Sequence, residues 1–382
     1  MRYEVISGGI GISYPDAVVF AFMPNIVSVT NAGAANAVDI RLTWTDWQHG
    51  QKIYTKSISV PIVGGAASVD ISHILQSFFG DMSKGWVTEM REKQSIIANI
   101  KIGNTTFETM FDNCLWGALD PMGRIGDIGT MPYNAELKEY QRTIRWFKNF
   151  PFSIEVFFGK SGQTVVYSND GGDLQDWTFY DTYWLFELLN DVEYYDDPLR
   201  DSLTGQYFSD IIIKPWNEEN VWDATFDYTF AAYDMSVQQH IRVNMDYRTE
   251  GHYLRWIDIN GIICYYLFAE GSDSIKTSDN GTMAQAITGG GMQYNDGARV
   301  YGKTRERSMK ICATLVPDDE QKLVQSIGSA VLCDLYVGKD ANSNELWLPV
   351  VPKAGTLSIR ENQGLQDIEV EIQLPSGQIQ RL

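Results

Sequence analysis

The sequence is divided into short runs in which apolar and polar residues alternate, and most of these runs are closed by glycine, proline or asparagine. In the run 38–44, Val38, Ile40 and Leu42 lie on one side of an extended chain and Asp39 on the other. Such alternation is typical of a strand with one buried face. Strand-like runs recur at 18–22, 26–29, 52–60, 152–158, 226–230, 303–315, 331–337, 345–351 and 368–374. They predict a mostly β protein with β-sandwich or β-barrel domains and a few short helices.

Two hairpins are predicted from turn residues that lie between strand-like runs. The stronger signal is Asn260-Gly261, which separates the apolar runs 253–259 and 262–268. An Asn-Gly pair supplies two positive φ angles, so a two-residue type I′ turn is expected there. A second hairpin is predicted within residues 96–110, around a Gly-Asn pair.

Two segments have the spacing of a helix instead. In 70–79 the apolar residues recur every three or four positions, and Gly80 follows as a stop signal. The segment 318–326 follows Pro317 and begins with three acidic residues, which matches the preferences of a helix N-terminus. Both helices are short, as expected for a β-rich chain.

The 382 residues are enough for two or three domains. We predict an N-terminal β-sandwich over 1–119, which ends at a loop or linker rich in glycine and proline. An acidic, aromatic-rich β region is expected over 120–250. A C-terminal β-rich domain is expected over 251–382, with one short helix and a long exposed loop or arm at 271–297, where glycine and polar residues dominate.

The overall charge and the absence of certain segments exclude several classes of function. The formal net charge of −19 argues against direct nucleic-acid binding, which needs a cationic face. No apolar run approaches the roughly 20 residues of a membrane-spanning helix, and residues 1–16 do not have the pattern of a secretory signal. We therefore expect neither a membrane span nor secretion. The four cysteines are far apart, so buried free thiols are expected.

Motifs for catalysis and for metal binding are incomplete. The four histidines form no H-E-x-x-H pattern, and no G-x-S-x-G sequence is present. Residues 340–344 carry three oxygen-bearing side chains of a calcium loop but lack its glycine and its final glutamate, so a polar hairpin turn is expected. The turn 169–173 remains a weaker calcium candidate. We assign no catalytic residue, no cofactor and no metal.

The segment 170–234 is the strongest anomaly, because its 16 acidic residues are accompanied by only two basic residues and are interleaved with aromatics. Paired carboxylates with aromatic platforms occur in glycoside hydrolases, and aromatic platforms alone suit carbohydrate binding. Aromatic side chains are also enriched in the cores of protein interfaces. We favour the interface hypothesis, and its candidate residues are Trp177, Trp184, Trp216 and Trp222.

A basic cluster stands out in this acidic chain. Its members are Arg299, Lys303, Arg305, Arg307 and Lys310. The residues at 303, 305 and 307 alternate, so their side chains share one face of the predicted strand. We expect this face to meet an acidic face on a neighbouring subunit, with 170–234 as the favoured partner, because complementary charge steers docking. Nucleic-acid contact by this cluster is a weaker alternative.

Several segments resemble structural proteins of tailed phages, particularly phages that infect gut anaerobes. They are FAFMPNIV (20–27), VDISHILQSFF (69–79), LRWIDING (254–261) with YYLF (265–268), and LWLPVV (346–351) followed by EVEIQLP (369–375). The resemblance implies a virion component, namely a ring-forming tail-tip or baseplate protein of the distal-tail type. It implies β-sandwich or β-barrel domains and repeated subunit contacts, but it carries over no functional residue.

The expected function is therefore assembly into a virion, as a tail, tail-tip or baseplate component made in the bacterial host cytoplasm. The expected partners are copies of the same chain, arranged in a ring, and other virion proteins. No enzyme activity is expected. The alternatives are a carbohydrate- or receptor-binding module and, less favoured, a glycoside hydrolase.

Overall fold

A computed structural model shows the mostly β fold that the sequence predicts. The residues that it describes are 1–16, 18–46, 50–86, 88–118, 133–134, 139–147, 149–158, 162–168, 173–179, 184–189, 210–215, 239–289, 292–300, 302–353, 355, 357 and 364–381. Among the described residues, no helix has both the length and the apolar composition that crossing a membrane requires.

The chain divides into two compact units. The first consists of Met1–Tyr247 together with Ile257–Cys264, and the second of Arg248–Trp256 together with Tyr265–Leu382. Neither unit is a continuous stretch of sequence, because residues 257–264 belong to the first unit while their neighbours on both sides belong to the second. The division at 119–120 and 250–251 stays a prediction, since much of 120–250 lies outside the described residues.

The first unit begins with an N-terminal β-sandwich. Its strands are β1 (Arg2–Ile6), β2 (Ile10–Tyr14), β3 (Val18–Phe20), β4 (Ile26–Thr30), β5 (Ala37–Asp46), β6 (Lys52–Pro61), β7 (Ala67–Asp70), β8 (Glu92–Ile102) and β9 (Thr105–Leu115). One sheet has the order β1-β2-β4-β7 and the other the order β3-β9-β8-β5-β6. The pairing is antiparallel except between β3 and β9. The hairpin predicted within 96–110 is confirmed as β8–β9.

The core of this sandwich lies between the two sheets. Val38, Ile40 and Leu42 of β5 are buried, and Asp39 and Arg41 are exposed, so the predicted alternation is confirmed. Burial of such a face removes apolar surface from water and is the main driving force for the sandwich. Side chains from both sheets contribute, including Ile12, Val27, Ile96, Ile100 and Phe111.

The helix predicted over 70–79 is shorter than expected. α1 covers Ser72–Gln76 and is followed by a turn, while a second short helix, α2, covers Thr88–Arg91. The apolar positions nevertheless have the predicted role, since Ile71, Ile74, Leu75, Phe78 and Phe79 are all buried. The neighbouring His73 is exposed.

The backbone of the rest of the first unit forms further strands. They are β10 (Tyr133–Asn134), β11 (Glu139–Phe147), β12 (Ser153–Phe158), β13 (Gly162–Ser168), β14 (Asp173–Phe179), β15 (Trp184–Leu189), β16 (Asp210–Pro215) and β17 (Gln239–Asp246). Six of them form a sheet of order β10-β11-β17-β16-β13-β14, and β12 pairs with β15. The linker predicted at 120–129, the turn 169–172 and the strand predicted at 226–230 lie outside the described residues.

The second unit contains two four-stranded sheets and one two-stranded sheet. The strands that lie wholly or mainly in this unit are β18 (His252–Ile257), β19 (Ile263–Phe268), β20 (Glu270–Asp279), β21 (Thr282–Gly289), β22 (Met292–Val300), β23 (Gly302–Pro317), β24 (Cys333–Lys339), β25 (Glu345–Pro349), β26 (Val351–Pro352) and β27 (Leu365–Arg381). The orders are β19-β18-β24-β25 and β20-β23-β27-β26, while β21 pairs with β22.

The helix predicted at 318–326 is confirmed as α3, which covers Asp318–Gln325. Asp318 and Asp319 lie in its first turn and are exposed. Their negative charges interact favourably with the positive end of the helix dipole. Glu320 is fully buried, and the Tyr266 hydroxyl lies 3.2 Å from its carboxylate as a hydrogen-bond donor. Leu323 of the helix is buried as well.

The long loop predicted at 271–297 is wrong, because the structure places strands β20, β21 and β22 over Glu270–Val300. The polar and glycine-rich composition suggested a loop because a strand usually has an apolar face. All ten residues of β20 are exposed, so this strand forms without an apolar face. The segment pairs instead through its backbone with β23, from 270 with 312 to 279 with 303. The alternative expectation of an extended arm is closer to what is observed.

The type I′ turn predicted at Asn260-Gly261 is also wrong, although the hairpin exists. Gly261 has a φ of +87°, but Asn260 is not among the residues with positive φ. The Asp258 carboxylate accepts hydrogen bonds from the amides of Asn260 and Ile262, each at 2.9 Å. The Gly261 amide donates to the Asp258 carbonyl at 3.0 Å. This pattern fits a three-residue loop with a left-handed glycine at its end.

This turn is packed tightly within the first unit. The buried Asn260 side chain donates to the Ala118 carbonyl at 2.9 Å, and the Ala118 amide donates to the Ile259 carbonyl at 2.7 Å. The buried guanidinium of Arg91 donates to the carbonyl of Gly261. A methyl group on Gly261 would collide with the backbone carbonyl of Trp116. Glycine is therefore required here for both its φ angle and its small size.

Three of the four cysteines are buried free thiols, as predicted. They are Cys114, Cys264 and Cys333, whereas Cys312 is partly exposed. Burial raises the pKa of the Cys114 thiol well above its ordinary value. The thiol is consequently uncharged at neutral pH and acts as an apolar core group.

Candidate interaction surfaces

The basic residues predicted to share a face lie on β23. The neighbouring strand β20 is an edge strand, since it pairs with β23 alone among the described strands. The odd-numbered residues of β23 share this face, and they are basic in the first half of the strand and apolar in the second. Met309, Ile311 and Ala313 are buried, whereas Lys303 is exposed and Arg305 is half-buried. The face therefore changes from apolar to cationic along a single strand, and the cationic half is accessible to solvent.

Two of these cations are paired with acids of β20 in the same chain. Arg307 donates from Nε to both carboxylate oxygens of Asp273, at 2.9 and 2.8 Å. Lys303 lies 3.8 Å from Asp279, its direct cross-strand neighbour. Within the described residues, no ion pair involves Arg305. The expected contact with region 170–234 of a neighbouring subunit stays a prediction, but part of the cluster already has a partner.

The Arg307–Asp273 contact shifts both ionisation equilibria. Hydrogen bonding and charge from Arg307 lower the pKa of Asp273 below its ordinary value, and Asp273 in turn raises the pKa of Arg307. A carboxylate with a lowered native pKa stabilises the fold above its unfolded pKa, and this contribution is lost as the pH falls through the native value. Both side chains are well exposed, so the contribution is small.

We predict that Arg307→Gln moves the pKa of Asp273 up toward that of an ordinary aspartate. The reason is that the glutamine removes the charge and the guanidinium hydrogen bonds that favour the carboxylate. The pKa is measured by carboxyl-carbon NMR titration. Lys310→Gln is the control, because Lys310 lies at an even position of β23 and so on the opposite face. An unchanged titration in Arg307→Gln, or equal shifts in both variants, contradicts the prediction.

The direction of the backbone amides of β20 follows from a single hydrogen bond. The Asn280 amide donates to the Gly302 carbonyl at 2.8 Å, in register with the β20–β23 ladder. In an antiparallel pair, hydrogen-bonded and non-hydrogen-bonded residues alternate. Even-numbered residues of β20 are therefore bonded to β23, and odd-numbered residues direct their amide and carbonyl groups to the free edge. These odd-numbered residues are Gly271, Asp273, Ile275, Thr277 and Asp279.

A second long edge strand, β6, lies in the first unit. It pairs with β5 alone among the described strands, and eight of its ten residues are exposed. The Ile62 amide donates to the Asn36 carbonyl, so the odd-numbered residues of β6 face the free edge by the same alternation. Pro61 has such an outward position, where the missing amide costs no ladder bond. Tyr54 stacks on Trp44 with ring centres 5.2 Å apart.

The remaining candidate interface residues are described only in part. Trp177 lies on β14, Trp184 on β15 and Arg299 on β22, and only the backbone of these three residues is described. Trp216 and Trp222 lie outside the described residues. Strand β20 was not predicted from the sequence, because Ile275 is its only large apolar residue and a single residue gives no alternating pattern.

The calcium-like segment 340–344 is the hairpin turn that the sequence predicts. The Asp340 carboxylate accepts hydrogen bonds from the Asn342 amide at 2.8 Å, the Asn344 amide at 2.8 Å and the Asn344 side chain at 2.9 Å. These bonds lower the pKa of Asp340, with the Asn344 side chain as the largest cause. Within the described part of the chain, His, Cys, Asp and Glu form no group of three that could hold a metal ion.

No protein-family model matches the chain, and a search of the curated proteins finds no match to it either. The resemblance to phage tail proteins stays a prediction that rests on the short segments given above.

Proposed function

We propose that this chain is a structural protein of a tailed-phage virion, a tail, tail-tip or baseplate component that acts by assembly and not by catalysis. Its partners would be further copies of itself and other virion proteins. The particle would be its final location, after synthesis in the cytoplasm of the bacterial host.

One observation carries this proposal, namely that each compact unit exposes a ten-residue edge strand. β6 belongs to the first unit and β20 to the second. An exposed edge presents a row of free amide and carbonyl groups, which are a template for pairing with another chain. Two edges of different sequence permit two different subunit contacts, as a repeating assembly requires.

The resemblance of six short segments to tailed-phage structural proteins supports the virion as the setting. The mostly β fold is compatible with that class, although a fold alone does not define a function. The large fraction of aromatic residues, 13% of the chain, suits extended protein–protein contacts.

The experiment is to locate the chain in purified phage particles. A short epitope tag is placed at Asn342, in the exposed turn between β24 and β25, and tagged particles are imaged by electron microscopy with bound antibody fragments. We expect several symmetry-related labels at the tail tip or baseplate. Untagged particles are the control for specific labelling. Particles that lack the chain, together with a monomeric purified protein that turns over a substrate, contradict the proposal.

A further inference from the structure

The edge of β20 lacks most of the devices that usually prevent strands from pairing between molecules. Natural edge strands are commonly interrupted by proline or bulges, or carry charges that remain unpaired. β20 contains no proline, and its ladder with β23 runs without a register shift over all ten residues. Its single lysine, Lys276, lies 3.9 Å from the Glu306 carboxylate, so its charge is offset.

We propose that two copies of the chain pair through β20, antiparallel and about a two-fold axis at Ile275. The pair would join two four-stranded sheets into one continuous sheet. Each of the five outward-facing residues would donate one backbone hydrogen bond to the partner subunit and accept one from it. The inference rests on the proposed assembly role, because it names the strand and the partner that one contact would use.

The register follows from the side chains. With the axis at Ile275, the 54% exposed isoleucine lies opposite its own counterpart, and residues 271–279 pair with 279–271. Moving the axis to Asp273 or to Lys276 sets two like charges directly opposite each other, which is unfavourable. Moving it to Ser274 sets the isoleucine against a carboxylate. The axis at Ile275 avoids both and buries the only large apolar residue of the strand.

The same register gives Arg305 an acidic neighbour. Arg305 lies opposite Thr277 in its own chain, and Thr277 would lie opposite Asp273 of the partner subunit. All three side chains point to one face, because all three positions are odd-numbered in matching registers. The backbone of Arg305 and that of the partner's Asp273 would be two strand spacings apart, about 10 Å. A long arginine side chain can span much of that distance. The cation without a described ion pair would thereby approach a carboxylate from the second copy.

This two-fold contact leaves β6 for a different neighbour. An isologous contact joins only two copies, and a larger assembly requires a second, non-equivalent contact. If both operate, the resulting particle component would contain pairs of subunits arranged around its main axis.

A charge-exchange experiment tests the two-fold register. Ile275→Lys and Ile275→Glu are each expected to weaken self-association of the full chain by about tenfold or more, because two like charges meet at the axis. An equimolar mixture of the two variants is expected to regain association, since lysine then meets glutamate. Association is measured by sedimentation velocity over a concentration series, with the wild type as reference. A monomeric wild type, unweakened single variants or a mixture that stays dissociated overturns the inference.

A second pair of variants separates the backbone edge from its side chains. Thr277→Pro removes an outward-facing amide but no bond to β23, and should weaken association, whereas Thr277→Val should preserve it. Thr55→Pro on β6 is the matched control and should leave β20 pairing intact. Equal association of the proline and valine variants at 277 contradicts the inference. Labelled particles without β20 pairing in solution would overturn this inference and leave the proposed function standing.

Discussion

Replacement of Gly261 by alanine is expected to destabilise the first unit by about 3 kcal/mol or more. Two effects add, the first being the cost of a left-handed φ for alanine, about 1–2 kcal/mol. The second is the collision of the new methyl group with the Trp116 carbonyl, which forces the turn to move. That movement also loosens the hydrogen bond from Ala118 to Ile259. We expect a lower urea midpoint and faster hydrogen exchange at the Ala118 amide.

Gly8→Ala is the matched control for this variant. Gly8 has a nearly identical φ of +84°, but a methyl group there has no neighbour within 4 Å. Its cost should therefore be limited to the backbone term, about 1–2 kcal/mol. Equal losses of stability for the two variants would show that the collision at Trp116 has no energetic consequence. That result would contradict the tight packing of the turn.

Replacement of Trp256 by alanine is expected to destabilise the second unit by about 3–5 kcal/mol. The side chain is completely buried, and its indole N–H donates to the Ser326 hydroxyl at 2.8 Å. Alanine leaves a large cavity and a hydroxyl without this donor, so the transfer and cavity terms add. Urea denaturation followed by fluorescence and by circular dichroism measures the loss, with both probes compared because the chain has two units.

Two further variants bracket this result. Trp256→Phe keeps most of the buried surface and loses the indole donor, so its cost should be clearly smaller, about 1–2 kcal/mol. Val331→Ala removes apolar atoms from a side chain that is 78% exposed and should stay within about 0.5 kcal/mol of the wild type. A loss below about 1 kcal/mol for Trp256→Ala would contradict the described burial.

Much of the fold was predictable where a local pattern and a buried face coincide. The alternation in β5 predicted which residues enter the sandwich core, and the acids after Pro317 predicted the start of α3. The hairpin at 260–261 was predictable, but its turn type was not. Asp258 captures two amides of the loop, and Asn260 binds a carbonyl 142 positions away in the sequence. Such distant contacts are not encoded in a dipeptide.

The candidate surface was predictable only on one of its two strands. The basic residues of β23 alternate visibly, so their common face was evident from the sequence. Their acidic partners Asp273 and Asp279 lie on β20, which reads as a loop because its residues face water on both sides. A strand that is held mainly by its backbone leaves no hydrophobic period, and its position became clear only from the pairing with β23.

The first unit is made of two separate segments of sequence, which matters for the design of protein fragments. Residues 257–264 belong to that unit but follow its last contiguous residue, Tyr247, in sequence. A genetic cut near residue 250 would therefore deprive the amino-terminal fragment of eight residues, including the Asn260 and Gly261 that bind near Ala118 and Trp116. A fragment of the first unit for crystallisation would have to include residues 257–264, for example as a grafted peptide loop, to remain folded.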